Sequence, residues 1–359
     1  MSPRTVASNC RMTESDLTHG GNVDRLIAAY PDAPRPWLDV STGINPWPYP
    51  VPALAPEVFA RLPTVTDYRR CRNAIAGAIG CHETACVPIP GSEWLIRALP
   101  RLLVTDPAWS TVVLTHPSYA DHEWAWRRAG ARVRVQDNPL AIADEVRAVV
   151  VCNPNNPDGR VWTVEQLEAV RARVAWHGGW LIIDEAFADL TPTYSCASFA
   201  GRAGLIILRS FGKFFGLPGV RLGAVLAPPA VRERIEAALG YWSVSGPALA
   251  LGSLAYQDRD WITATRVHLA QRCTELHRVC MSVGLEVRGG TDLYTYVRVP
   301  GDGLAAHHLW HALCQRGVYC RRFRDPTDHL RIGLPADDRG RDRLREALTD
   351  GLDASSRAF

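Results

Sequence analysis

Short apolar runs alternate with helical periods over most of the chain. Thr111–Leu114, Ala148–Val151, Trp180–Ile183 and Leu205–Leu208 are four-residue runs rich in Val, Ile and Leu, each bounded by polar or glycine-containing segments. Runs of that length and composition predict strands buried on both faces. Ala131–Val135 alternates apolar and charged positions, the period of a half-exposed strand. Between these runs the pattern predicts helices over 68–79, ending at Gly80, over 93–103 and over 124–129. Thr163, followed by Glu165 and Gln166, has the form of a helix N-cap.

Buried strands that alternate with helices predict an α/β fold, with a mostly parallel central sheet covered by helices on both faces. After about residue 225 the pattern changes. Helical stretches at 230–240 and 247–281 lead into a shorter α+β region, with strands expected at Leu285–Val287, Leu293–Val299 and His329–Ile332. At the other end, Pro31, Pro34, Pro36, Pro46, Pro48, Pro50, Pro52 and Pro56 rule out a helix and predict an extended arm, held by other parts of the protein or by a second subunit. The expected division is an N-terminal arm (1–56), a large domain (57–235) and a small C-terminal domain (236–359).

Composition narrows the function classes. A chain of 359 residues with 47% hydrophobic and 21% charged positions is ordinary for a globular protein of two domains. Its net charge of +3 gives no argument for nucleic acid. The ten cysteines include no CxxC pair. Cys81, His82 and Cys86 are the nearest approach to a metal cluster and read as incidental thiols of a reducing compartment, so no metal is expected. A basic segment followed by an apolar run is absent at the start, and no stretch has the length of a membrane span, so the expected location is the cytoplasm.

One count changes the picture. Lys213 is the sole lysine of the sequence, in a chain that otherwise uses arginine for its cations. It follows the Leu205–Leu208 run, in Ser210-Phe211-Gly212-Lys213-Phe214-Phe215-Gly216. A lysine delivered from the end of a buried strand into a glycine-rich turn loses hydration, which lowers its pKa and frees the amine as a nucleophile. Arginine cannot form a Schiff base. Ligands of open α/β sheets collect at the carboxyl ends of strands, and Tyr119, Asn156, Asp184 and Lys213 each follow one.

These residues match what pyridoxal phosphate (PLP) requires. Lys213 is the covalent anchor. Asp184, 29 positions before it, is the candidate acid for the pyridine nitrogen. Asn156, in the turn Asn153-Pro154-Asn155-Asn156-Pro157-Asp158-Gly159, is placed to meet the ring oxygen and the substrate, and Tyr119 to stack on the ring. Gly91, Ser92 and Glu93 open a helix whose backbone N–H groups suit a phosphate, with Ser210 and Arg221 completing the cradle. Arg331 is a candidate fork for a substrate carboxylate. Singly, most of these residues have blander readings as turn formers, caps or packing residues; the set carries the assignment.

The chain resembles the fold-type I PLP enzymes of the aspartate aminotransferase superfamily over nearly its whole length. The residues that carry this are the Asn-Pro-Asn-Asn-Pro-Asp-Gly turn, Asp184-Glu185-Ala186-Phe187 and the Ser-Phe-Gly-Lys turn. Within that group it resembles the histidinol-phosphate aminotransferases. It is more similar still to the threonine-phosphate decarboxylases of cobalamin biosynthesis, through His19-Gly20-Gly21-Asn22 and the segment Pro36–Pro46. The resemblance implies decarboxylation of L-threonine O-3-phosphate to (R)-1-aminopropan-2-yl phosphate by a homodimer with a shared active site. His19, Asn45, Arg321, Arg322 and Arg331 are then the candidate substrate anchors, with the assignment of carboxylate and phosphate among them open. The alternative is an aminotransferase for a phosphorylated amine such as histidinol phosphate. The two differ in which bond at Cα stands perpendicular to the ring, a choice set by binding of the distal phosphate.

Three positions depart from the family pattern. Phe187 stands where relatives often carry Tyr, Leu62 where a Tyr precedes Pro63, and Gly212 where some have a second phosphate-binding Ser. The first leaves Asn156 to act more alone on the ring oxygen, and the second moves or removes a contact to the neighbouring subunit's cofactor, with Tyr68 as its candidate replacement.

Overall fold

The computed structural model describes residues 20–104 and 111–356. Its strands, in chain order, are β1 (Leu38–Asp39), β2 (Cys86–Ile89), β3 (Thr111–Thr115), β4 (Arg132–Gln136), β5 (Val146–Cys152), β6 (Trp180–Asp184), β7 (Leu205–Ser210), β8 (Gly223–Leu226), β9 (Glu286–Thr291), β10 (Tyr294–Arg298), β11 (Val318–Tyr319), β12 (Arg321–Arg322) and β13 (His329–Gly333).

By contacts the described residues form two compact units: 43–275 with 289–295, and 20–42 with 276–288 and 296–356. The helices between 236 and 275, placed with the small domain in the sequence reading, fall in the larger unit.

The larger unit is built on a seven-stranded sheet of order β2-β8-β7-β6-β5-β3-β4. The pairs β3–β4, β3–β5, β5–β6 and β6–β7 are parallel, and β8 runs antiparallel to both β2 and β7. The five apolar and alternating runs of the sequence all became strands of this sheet. Its interior is aliphatic: Val112, Leu114, Val150, Ile182, Ile206, Leu208 and Val225 pack with Leu95, Leu99 and Trp126 from the covering helices. Two strands were not foreseen. β2 contains Pro88, which hides its strand character, and proline is tolerated because β2 lies at the sheet edge. β8 opens on Gly223, where a Cβ would stand 2.6 Å from the Arg209 carbonyl oxygen, so the chain needs glycine to pass that close.

Helix ends follow local chemistry. Thr163 and Gln166 cap the helix Val164–Trp176 reciprocally, and Thr64 and Asp67 do the same for Val65–Ile79, which stops at Gly80 in the left-handed region (φ 74°). The stretch expected as one helix over 247–281 is two, Gly246–Ala255 and Arg259–Ser282. Asp258 makes the break: its carboxylate accepts from the Trp261 N–H at 3.0 Å, starting the second helix.

Val23–Ala29 is a helix, and from 31 to 56 the arm has none, as its prolines predict. Its 43–56 part lies in the larger unit, where the Tyr49 N–H donates to the Phe215 carbonyl (2.9 Å). In the smaller unit β1 pairs parallel with β11, and a four-stranded sheet has the order β12-β13-β10-β9. The helices Ala305–Gln315 and Asp338–Ser356 pack on one another there.

Candidate active site

The parallel register brings the ends of β5 and β6 level, with Cys152 opposite Asp184, and β7 ends alongside at Ser210. Each strand end then turns into a segment with a polar side chain of the expected set.

After β7 the chain makes a single helical turn, Phe211–Phe214, with Lys213 half-buried within it. The arm braces this turn. The Asn45 N–H donates to the Lys213 carbonyl (3.0 Å), and the Asn45 Nδ2 donates to the Phe214 carbonyl (2.9 Å). The Asn45 Oδ1 accepts from the Trp47 N–H (2.9 Å). Asn45 is fully buried, and these bonds make it a brace for the lysine turn. Gly216 (φ 66°) allows the arm to approach, since a Cβ there would meet the Asn45 carbonyl oxygen at 2.7 Å. Gly212 is constrained in the same way. A Cβ would lie 2.7 Å from Pro218 Cα, so the backbone leaves no room for the serine that some relatives carry.

Asp184 is buried at the end of β6. One carboxylate oxygen accepts from the Ala186 N–H (3.0 Å), and the other lies 3.0 Å from His122 Nε2. The sequence reading missed His122. It stands three residues after Tyr119, in the first turn of the helix Ala120–Arg128, and nothing in its local pattern shows that Asp184 lies beside it. Ser118 Oγ donates to Cys152 Sγ (3.3 Å), and the ligand atoms of His122, Cys152 and Asp184 all lie within 4.8 Å of one another. Burial pushes the His122 pKa down, but hydrogen bonds to Asp184 and Cys152 outweigh it and raise it from 6.5 to about 10. The direction of that shift favours a charged imidazole placed against the Asp184 side chain.

The turn after β5 is locked from within. Asn153 Nδ2 donates to the Trp162 and Tyr194 carbonyls (3.1 and 3.0 Å), and the Asn153 N–H donates to the Asp184 carbonyl (2.9 Å). Asn155 Nδ2 donates to the Pro117 carbonyl and to Asp158 (both 2.7 Å). With its two neighbours buried in these roles, Asn156 is the partly exposed amide of the turn. Phe187 packs edge-on against Tyr294 (centroids 5.3 Å apart), whose hydroxyl donates to the Asn155 carbonyl at 2.9 Å. A tyrosine from another part of the larger unit thus buttresses the turn that the Phe187 side chain cannot reach by hydrogen bonding.

Gly91, Ser92 and Arg221 come together. Gly91 (φ 84°) precedes the helix Ser92–Leu103, which has no side-chain cap, so its first N–H groups point outward beside Gly91. A Cβ on Gly91 would stand 2.8 Å from an Arg221 guanidinium nitrogen. Arg221 has φ 56°, a costly backbone for arginine, and its other terminal nitrogen donates to the Pro218 carbonyl (3.0 Å). Ser210 pairs with Gly223 in the adjacent register, and the Ser92 nitrogen lies 2.9 Å from where a Gly223 Cβ would be. Helix N–H groups, a guanidinium and a hydroxyl are the donor set of a phosphate cradle. With a half-buried amine at Lys213 and a buried carboxylate at Asp184, the residues present fit PLP.

The Glu93 side chain faces elsewhere. Its Oε2 accepts from the Tyr119 hydroxyl (3.1 Å), and its Oε1 pairs with Arg97. Tyr119 is at the N-cap of its helix with its ring partly buried, edge-on to His122 (centroids 6.1 Å).

Behind the site, alternation turns Glu185 and Arg209 to the face opposite Asp184 and Ser210. Arg209 donates to Glu185 (2.8 Å) and pairs with Asp189, while Glu185 also accepts from Ser195 Oγ (2.6 Å) and the Cys196 N–H (2.7 Å). All three charged groups are buried. The signal for this clamp was legible: an arginine ending an apolar run and a second acid after Asp184.

In the smaller unit Arg321 and Arg331 are opposite one another on neighbouring strands and so share a face, with Arg331 donating to the Ser41 carbonyl (2.8 Å). Arg322 does not join them. Strand alternation turns it to the other face, where its guanidinium lies 4.2 Å from the Trp310 ring and bonds His307 Nδ1. The hydroxyl of Tyr68, the candidate replacement for the missing tyrosine at Leu62, accepts from the Val244 N–H (3.0 Å) and donates to the Val244 carbonyl (3.3 Å). His19 lies outside the described residues.

The profile of the family described as aminotransferase class I and II matches residues 51–348. A threonine-phosphate decarboxylase of Pseudomonas aeruginosa is 37% identical over 92% of this chain and 97% of its own length. Another, from a Sinorhizobium species, is 38% identical over the same shares. Among solved structures, a histidinol-phosphate aminotransferase from Sinorhizobium meliloti in complex with pyridoxal-5'-phosphate superposes with a TM-score of 0.80, covering 97% of this chain and 99% of that one at 18% identity.

The His122–Asp184 pair makes a testable statement about stability. A base whose pKa is raised on folding contributes stability that is complete below its unfolded value near 6.5 and is lost as pH rises through about 10. Urea unfolding of wild type and His122→Asn, compared across that window, is expected to show a decline in wild type that the variant lacks. Parallel curves would place a neutral histidine beside Asp184.

Proposed function

The chain belongs to the aminotransferase class I and II family, and on that premise we propose that it is a PLP-dependent threonine-phosphate decarboxylase. The reaction releases carbon dioxide from L-threonine O-3-phosphate and leaves (R)-1-aminopropan-2-yl phosphate, the aminopropanol unit of the cobalamin nucleotide loop. The observation that carries this reading is agreement with two decarboxylases at 37% and 38% identity over 92% of a chain whose one lysine follows a sheet strand beside a phosphate-cradling donor set.

Bound PLP supplies an electron sink for the pair left at Cα when the carboxylate departs. Lys213 supplies the amine that holds it covalently. Asp184, held by His122 and the Ala186 N–H, would accept a hydrogen bond from the protonated ring nitrogen. Asn156 donates to the ring oxygen and meets the substrate, and Tyr119 stacks on the ring. Ser210, Arg221 and the backbone N–H groups at Gly91, Ser92 and Glu93 bind the phosphate. Arg321 and Arg331 take the anionic groups of the substrate, which carries two; a face with two guanidiniums suits a phosphorylated amino acid better than a simple one. Once the carboxylate has left, Lys213 returns a proton to Cα. Asn45 serves indirectly, by fixing the turn that aims Lys213.

The same reading includes a homodimer. Phe59, Leu62, Val65, Tyr241 and Trp242 are all exposed, and several of them border a cavity of about 430 Å³ lined also by Pro63, Tyr68 and Leu239. Apolar surface of that extent marks an interface, and a second copy is its occupant here. A cytoplasmic location is supported by nine free thiols among the described residues, and no described helix is long and apolar enough to cross a membrane.

Incubation of the holoenzyme with threonine phosphate in the absence of any 2-oxo acid is expected to release carbon dioxide stoichiometrically. If turnover instead requires 2-oxoglutarate and no carbon dioxide forms, the protein is an aminotransferase. Sedimentation equilibrium is expected to give twice the chain mass of 39.6 kDa, and a monomer would remove the dimer from the account.

A further inference from the structure

We propose that Arg322 and Arg324 form an anion-binding site in the smaller unit, at the start of the helix Ala305–Gln315, for a small phosphate-type dianion. The site does not depend on the reading of function above. It gives a role to the arginine that strand alternation turns away from Arg321 and Arg331.

The place is a cavity of about 220 Å³ lined by Leu304, His307, Arg322, Phe323, Arg324 and Thr327, all in the smaller unit. Two arginines, a histidine and a threonine line it, and no acid does. Arginine offers paired N–H groups that match phosphate oxygens, and the threonine hydroxyl adds another donor.

Arg322 carries an unbalanced charge. It is half-buried, its guanidinium lies 4.2 Å from the Trp310 ring, and its Nη1 donates to His307 Nδ1. Of its three nitrogens only Nη1 has a protein acceptor among the described residues, and Nε is buried without one. Among the described residues no carboxylate pairs with it. The groups that act on it most are Tyr30, Cys314, Tyr319 and Cys320. Burial raises the pKa of each of these, so all four are neutral at pH 7. A cation removed from water without a counter-ion is unfavourable, and a bound anion offsets that cost.

The neighbouring histidines hold the guanidinium without adding charge. Arginine cannot accept, so His307 Nδ1 is the acceptor and the proton of that ring is on Nε2. This Nε2 lies 3.1 Å from His311 Nε2, and His311 Nδ1 meets the Tyr30 hydroxyl. Hydrogens therefore run one way, from Arg322 through His307 and His311 to the Tyr30 oxygen. Burial, reinforced by the Arg322 charge, lowers the pKa of both rings, that of His311 to about 4.

The helix Ala305–Gln315 begins at this cavity, with Leu304 as its N-cap residue. Its cap makes no side-chain hydrogen bond, and its first turn contains no acid. Asp302, just before it, accepts from the Leu304 N–H (3.0 Å) through its side chain and from the Ala305 N–H (3.1 Å) through its carbonyl. The Ala306 and His307 N–H groups have no acceptor among the described residues. A helix start left open in this way favours an anion. Asp328, in the loop that follows Arg324, is engaged by Arg298 (2.9 Å) and His329 (2.6 Å).

The test is equilibrium dialysis of labelled inorganic phosphate against the protein with PLP present. Arg322→Met keeps an unbranched chain against Trp310 and removes the charge; Arg324→Gln changes an exposed residue and leaves the fold alone. Wild type is expected to bind one phosphate per chain that survives Arg331→Gln and is weakened at least about tenfold in Arg322→Met and in Arg324→Gln. Affinity unchanged in both of these variants, or no phosphate bound to Arg331→Gln, overturns the proposal. Phosphate is also expected to raise the Tm of Arg331→Gln by more than that of the double variant Arg322→Met/Arg331→Gln, and equal rises would count against the site. Replacement of phosphate by glycerol 3-phosphate identifies the source of the anion. Tighter binding assigns the site to a phosphate ester, and equal or weaker binding assigns it to free phosphate.

Discussion

A buried acid has to be held in place at the end of a strand, and the rest of the candidate site depends on how this is achieved. Asp184 is buried at the end of a strand, and burial of a polar group is unfavourable unless it is hydrogen-bonded. The Ala186 N–H and the His122 ring supply the opposing force at 3.0 Å each. His122 is in turn held by the first turn of the Ala120–Arg128 helix and by Cys152 and Asp184 around it. An acid side chain fixed in this way has the position that the proposed role at a cofactor's ring nitrogen requires.

The same strand ends are tied together from behind. Glu185 and Arg209 lie one position along from Asp184 and Ser210 and face the other way, so their ion pair fixes the relative height of β6 and β7. Such a pair adds little net stability over an apolar packing, but removal of one partner leaves a buried charge and costs about 3–5 kcal/mol. Its value is geometric: the lysine turn begins at the residue after Ser210, and Asn45 then grips that turn from the arm. Front and back contacts together leave little freedom in where Lys213 emerges.

The parallel sheet, the ends of its strands and the polar set at those ends were legible in the sequence, because buried strands write themselves as Val, Ile and Leu runs and the lysine is unique. The limits were physical. Pro88 masked an edge strand, and a polar break at Asp258 was hidden inside a continuous helical pattern. His122 and Tyr294 were invisible because their partners, Asp184 and Asn155, are 62 and 139 residues away. The brace that Asn45 makes was not foreseen, since an amide in an N-terminal arm gives no local sign that it will bond the backbone of a turn 169 residues on. Arg322 shows the opposite limit: adjacent arginines look equivalent in sequence, and only strand alternation separates the one that shares a face with Arg331 from the one that stacks on Trp310.

The central claim is that a single amine captures an aldehyde near a buried acid. Borohydride reduction of the protein after incubation with PLP, followed by peptide mass spectrometry, tests it most directly, because the sequence offers one lysine side chain. The account predicts a reduced pyridoxyl adduct on Lys213, with a marked loss of the cofactor's visible absorbance on reduction. An unlabelled Lys213 peptide in protein shown to be folded would contradict it.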